Sequence, residues 1–154
     1  MGTNQRSQIT MADDEVTSFI EQQRVANMAT LGPDGMPHLV AMWYAVLDGD
    51  PVFWTFGKSQ KILNLQRDPR ITLLVETGEE YAELMGVELV GQAEVITDRD
   101  AINEIGEAVY VRYFGEIDDA IRPAVHATGA KRLGVRISVD KVVSWDHRKL
   151  EGGY

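Results

Sequence analysis

A chain of 154 residues with 44% hydrophobic and 25% charged side chains has the composition of one ordinary globular domain, long enough to bury a core without disulfide or metal staples. A formal charge of −9 repels polyanions and anionic lipid, which sets aside nucleic-acid and membrane-surface binding and requires any anion site to be local. The absence of cysteine excludes disulfides, thiolate metal sites and thiol redox chemistry.

Residues 1–10 read as a polar tail without the apolar stretch of a signal peptide. No run approaches the roughly 18 apolar residues that cross a bilayer, so the expected address is the cytoplasm. Residues 11–150 read as one domain. Thr10 with Asp13 resembles a capping box, and Val16, Phe19 and Ile20 at helical spacing predict a helix near 11–23. Val25 to Leu31, the turn Gly32-Pro33-Asp34-Gly35, and Pro37 to Leu47 then read as a β-hairpin, followed by Asp48-Gly49-Asp50 and a third strand, Val52 to Phe56.

The second strand is apolar on both faces: Val40, Met42, Tyr44 and Val46 oppose Leu39, Ala41, Trp43 and Leu47. A strand with one wet face would not show this. Either it is a central strand covered on both sides, or its outer face meets a partner subunit or a flat apolar ligand.

Beyond Phe56 the period changes. Ser59 is placed to cap a helix with Ile62, Leu63 and Leu65 inward, ending before Asp68-Pro69. Strands follow at 70–76 and 88–95, then a helix capped by Asp98 with Ile102, Ile105 and Val109 towards the core. Residues 116–130, with Pro123, read as a short helix with loops. The last strand carries Leu133, Val135, Ile137, Val139 and Val143 on one parity. Six strands without a βαβ alternation predict a mainly β, α+β fold: a six-stranded antiparallel split or closed barrel with flanking helices.

No dinucleotide, Walker, nucleophile-elbow or zincin motif is present, and His38, His126 and His147 have no ligand spacing. The segment Gly57-Lys58-Ser59-Gln60-Lys61, continuing through Asn64 and Arg67 to Arg70, stands out from the acidic background. A helix start supplies free N–H groups and a positive dipole end, and Lys58 and Lys61, three apart, can clamp a phosphate there. The alternative is a solvated helix face paired with nearby acids.

The stretch ATLGPDGMPHLVAMWYAV…PVFWTFGKSQKILNLQRDPRITLLVE, with a late S-W-D, resembles the pyridoxamine-phosphate-oxidase-like split barrels, and within them the flavin and deazaflavin-F420 oxidoreductases. The resemblance covers about residues 12–148. It implies a homodimer with cofactor sites at the subunit interface. It further implies Lys61 as phosphate ligand, Ser59 as helix cap, Thr55 beside the cofactor, and the backbone of Val40, Ala41, Met42 and Trp43 lining the ring. Lys58, Gln60 and Asn64 join the cofactor-binding set, and Trp145 approaches from near the interface.

Val40 and Gln60 stand where the vitamin oxidases carry arginine, and no Arg-x-His follows Trp145, so vitamin B6 oxidation is not expected. The spread of Lys58, Lys61, Arg67 and Arg70 suits the dispersed charge of F420. The resulting expectation is an F420-dependent reductase acting on an unsaturated or quinone-like small molecule. FMN in the same fold, or a non-enzymatic carrier of F420, flavin or haem, stands as the alternative. Tyr44 and His38 are weak candidates for a proton donor; packing and exposure are their plainer roles.

Overall fold

In the computed structural model, which describes residues 4–151, the period-two segments form one seven-stranded antiparallel sheet. The strands are β1 (Ala26–Leu31), β2 (Pro37–Met42), β3 (Ala45–Leu47), β4 (Asp50–Phe56), β5 (Arg70–Thr77), β6 (Met85–Ile96) and β7 (Arg132–Asp146). Across the sheet their order is β2-β1-β5-β6-β7-β4-β3. The helices are α1 (Gln5–Ile9), α2 (Asp13–Gln22), α3 (Gln60–Arg67), α4 (Arg99–Phe114) and α5 (Arg122–Thr128).

The expected six strands become seven because segment 37–47 breaks at Trp43 and Tyr44. Its first part, β2, is one edge of the sheet and its second, β3, the other. Two residues, at about 3.8 Å per Cα step, therefore join opposite edges, and the sheet must curl until they approach. No ladder between β2 and β3 closes it among the described residues.

The parity of this segment is as expected. Tyr44 is fully buried, and Val40, Met42 and Val46 pack against the inner core, while Leu39 is 67% exposed. The strand covered on both sides is β4, not β2. Phe53 enters the inner core with Met28, Leu73, Val87 and Ile137, and Val52 and Trp54 face α4 and α5 with Ile102, Ile105 and Val109. Each such side chain, fully removed from water, contributes about 1.5–3 kcal/mol.

The N-cap of helix α2 is Ala12, two residues later than the expected Thr10: the Glu15 carboxylate accepts from the Ala12 N–H at 2.7 Å, and the Thr10 hydroxyl donates instead to the Arg6 carbonyl at 2.9 Å. The segment expected to be a polar tail carries α1, with Ile9 buried, and the Met11 N–H donates to Ser144 Oγ at 3.0 Å. Residues 1–3 of that segment lie outside the described residues. Asp98 caps α4 as expected, accepting from the Ala101 N–H at 2.9 Å.

β7 departs from the simple alternation. Val90 pairs with Lys141 but Gly91 pairs with Val139, leaving Asp140 as an extra residue. Parity inverts there, so Ser144 and Asp146 are buried beyond the bulge and the expected inward Val143 is displaced from the buried row. The two backbones approach so closely that a Cβ on Gly91 would lie 2.0 Å from the Ser138 carbonyl oxygen. Among the described residues no helix is long and apolar enough to cross a membrane.

Candidate functional site

β4 runs beyond β3, so Phe53 to Phe56 pair with β7 on one side and, among the described residues, with no strand on the other. Among the described residues β2 likewise pairs only with β1. The Trp43–Tyr44 crossover brings these unpaired backbone edges to the same break in the curled sheet. An unpaired edge presents free N–H and C=O groups, which lining a ring by the backbone of Val40 to Trp43 requires.

The chain leaves β4 through Gly57, whose N–H donates to the Lys131 carbonyl at 2.9 Å, and enters α3 with Ser59 at the N-cap position. The Ser59 hydroxyl does not cap: its Oγ is buried without a hydrogen-bond partner among the described residues. The first N–H groups of α3 lack intrahelical acceptors, as at any helix start. Lys61 turns back towards the strand, and its ammonium donates to Thr55 Oγ1 at 3.2 Å. Thr55 is itself buried.

Burial lowers the Lys61 pKa from its ordinary value. No carboxylate lies within ion-pair distance of Lys61 among the described residues. A partly desolvated cation supported by one neutral hydroxyl, at a helix start with free N–H groups and an orphaned serine hydroxyl, is a donor set chemically suited to an anion. The residues present fit a phosphate group.

The wider cation cluster does not converge. Lys58 is exposed at the helix entrance. Arg67, at the other end of α3, donates to the Leu31 carbonyl and to Asn64 Oδ1. Arg70 pairs with Asp68 at 2.6 Å, and its guanidinium holds that carboxyl down at about 2. The dispersed cluster expected from Lys58, Lys61, Arg67 and Arg70 is thus not assembled, because helix length and local acceptors draw the arginines away.

Asn64 is fully buried, donating to Thr30 Oγ1 at 3.0 Å and accepting from Gln60 Nε2 at 2.8 Å. The first bond fastens α3 to β1, and the second, within α3, holds the Asn64 amide in place. Thr30 was not singled out in the sequence, and nothing in its strand context marks it. His38 stands opposite Thr30 on β2, with a buried Nδ1 that has no partner among the described residues.

Tyr44 is held by structure. Its hydroxyl donates to the carbonyls of Ile20 and Gln23, and burial pushes its pKa up to about 12, unsuited to proton donation near neutrality. Trp43 is half exposed and stacks on Tyr113 with ring centroids 4.0 Å apart. The Tyr44 N–H also donates to the Tyr113 hydroxyl, so the end of α4 fixes the crossover. Tyr110, Tyr113 and Phe114 at helical spacing carried that signal in the sequence. Trp145 lies across Gly86 at the far end of β7, remote from Leu133, the ladder partner of Thr55. Within one chain it does not join the Lys61 site.

Fold and site together define a mainly β protein of the α+β class, with Lys61 and the start of α3 beside an open, curled sheet. The chain belongs to the pyridoxamine 5'-phosphate oxidase family, whose model matches residues 12–146. No curated protein sequence matches it. Among solved structures it is similar to the conserved hypothetical protein Rv2991 of Mycobacterium tuberculosis, with 44% identity, a TM-score of 0.91, and 99% of this chain and 96% of that one covered. It shares its fold with a protein described as an F420 reductase (24% identity, TM-score 0.63, 81% and 93% covered). It shares the fold also with HutZ, a haem storage protein of Vibrio cholerae (14% identity, TM-score 0.67, 86% and 94% covered).

Proposed function

We propose that this protein is a cytoplasmic, homodimeric oxidoreductase that uses F420, reducing an unsaturated or quinone-like small molecule. The observation that carries the phosphate-bearing cofactor in this reading is Lys61: a partly buried ammonium with a single hydroxyl partner among the described residues, two positions after the orphaned Ser59 Oγ, at the start of a helix. Lys61, Ser59 and the first N–H groups of α3 would hold the cofactor's phosphate, with Lys58 at the entrance and Thr55 orienting the Lys61 amine. The free edge of β2 from Val40 to Trp43 would flank the ring. F420 bound there supplies a hydride carrier.

The dimer reading is supported by apolar side chains left in water on the outer face of β2 and near α3: Leu39 at 67% exposed, Met36 at 66% and Phe56 at 50%. A second copy covering them would enclose the break in the sheet.

The deciding experiment titrates the purified protein with F420 and with FMN in parallel, followed by absorbance and fluorescence, and then offers reduced F420-loaded protein a panel of enones and quinones. Tight F420 binding with turnover supports the proposal. Binding of FMN with no affinity for F420 overturns the cofactor, and loaded protein that stays reduced across the panel overturns the enzyme in favour of a carrier.

A further inference from the structure

On the outer side of β4, away from the Lys61 amine, α4 and α5 frame a cleft of about 480 Å³. That volume falls within the range of small-molecule sites, about 300–1,000 Å³. Trp54 forms part of its lining, packed where neither Gly106 nor Gly129 carries a side chain; a Cβ on either would lie 2.3 or 2.4 Å from the indole. Val109 and Val125 stand beside it, and Trp43, Tyr110 and Phe114 continue the aromatic surface to the rim.

One cation interrupts this apolar lining. The Arg132 guanidinium lies 4.9 Å from the centroid of the Trp54 ring. It makes no ion pair and no side-chain hydrogen bond among the described residues, whereas Arg70, Arg122, Arg136 and Arg148 each face a carboxylate. In a chain of net charge −9, a half-buried arginine left without an acid at an aromatic cleft is a recognition element for an anion.

The wall is also preorganised. Arg122 and His126 of α5 both meet Glu107 of α4, His126 Nε2 at 2.6 Å, and Arg99 donates to the Gly129 carbonyl at 2.8 Å. A cleft so braced loses little ordering entropy on binding.

We propose that this cleft binds a small planar aromatic carboxylate or sulfonate, its rings against the rim aromatics Trp43, Tyr110 and Phe114 and its acid group on Arg132, which the buried Trp54 ring holds in place. The cleft lies on the other side of β4 from the Lys61 amine, although Trp43, whose backbone flanks the proposed ring site, lends its side chain to the rim.

The test uses the full-length protein with two fluorescent probes of similar shape, anionic anilinonaphthalene sulfonate and uncharged phenylnaphthylamine. The expected result is saturable, one-to-one binding of the anionic probe. Arg132→Met should weaken it about tenfold, the lower end for a charge-assisted hydrogen bond, with the uncharged probe changed less than about twofold. Ala124→Trp, at an exposed α5 position lining the cleft, should abolish binding of both probes while circular dichroism stays native. Lys61→Met should leave both probes bound whatever its effect on F420 or FMN, which separates this site from the cofactor reading. No saturable binding to the native protein, as when a second chain covers the cleft, overturns the proposal. So does unchanged anionic-probe affinity in Arg132→Met, or undiminished binding in a folded Ala124→Trp variant.

Discussion

Replacing Lys61 with methionine keeps most of the aliphatic stem and removes the charge. Among the described residues its ammonium has one partner, Thr55 Oγ1 at 3.2 Å, and no carboxylate, so the free protein loses one hydrogen bond and sheds an unfavourable desolvation. These oppose each other, and unfolding in urea should shift by less than about 1 kcal/mol. The bound state loses a charge-assisted contact to phosphate, worth about 1.5–3 kcal/mol. The dissociation constant for the cofactor should therefore rise about 10- to 150-fold. Calorimetric titration of wild type and variant with F420 and FMN, alongside urea melts, measures both quantities. An unchanged dissociation constant with intact stability would refute the assignment of Lys61 to the phosphate.

Further outcomes follow from neighbouring groups. Because burial lowers the Lys61 pKa and a phosphate needs the protonated amine, cofactor affinity should be full below that lowered pKa and decline as pH rises through it. In Lys61→Arg the decline should move to higher pH, as titrations across the alkaline range would reveal. In the ligand-free protein, between the lowered value and the ordinary one, the unfolded chain holds more protons, so the Lys61 contribution to stability should increase with pH. Asn64→Ala should cost about 1–3 kcal/mol in urea unfolding, since it strips Thr30 of its donor inside the core; a large loss of cofactor affinity at native stability would instead make Asn64 a ligand. Gly91→Ala should destabilise by about 1–3 kcal/mol or more, measured by thermal melts, because its Cβ meets backbone and not a movable side chain.

Much of the fold was legible because burial imposes periodicity. The α4 stripe of Ile102, Ile105 and Val109 lies where spacing placed it, and Val40, Met42 and Tyr44 share one side as alternation grouped them, although alternation alone did not say that this side faces inward. The break at Trp43–Tyr44 was not legible, since both of its halves are apolar on the same parity and ladder partners leave no mark in a single strand. The bulge at Asp140 was hidden for a related reason: Val142 and Val143 continue an apolar pattern after the backbone has inverted which side is buried. At the site, Lys58 and Lys61 fall at a helix entrance as read. Charge counting could not foresee that Asp68 and the Leu31 carbonyl would engage Arg70 and Arg67, because those acceptors depend on local and tertiary geometry.

The strand order has a bearing on how the molecule is made. β4 and β6 share no ladder; only β7, the final strand, stands between them and bonds to both. While residues 132–146 remain inside a ribosome, the emerged chain therefore holds two separate pieces, a β3–β4 hairpin and a β2-β1-β5-β6 meander, tethered through Trp43 and Tyr44. Assembly waits on contacts far apart in sequence, which favours slow folding, and the C-terminal segment acts as the joint that turns two partial sheets into one.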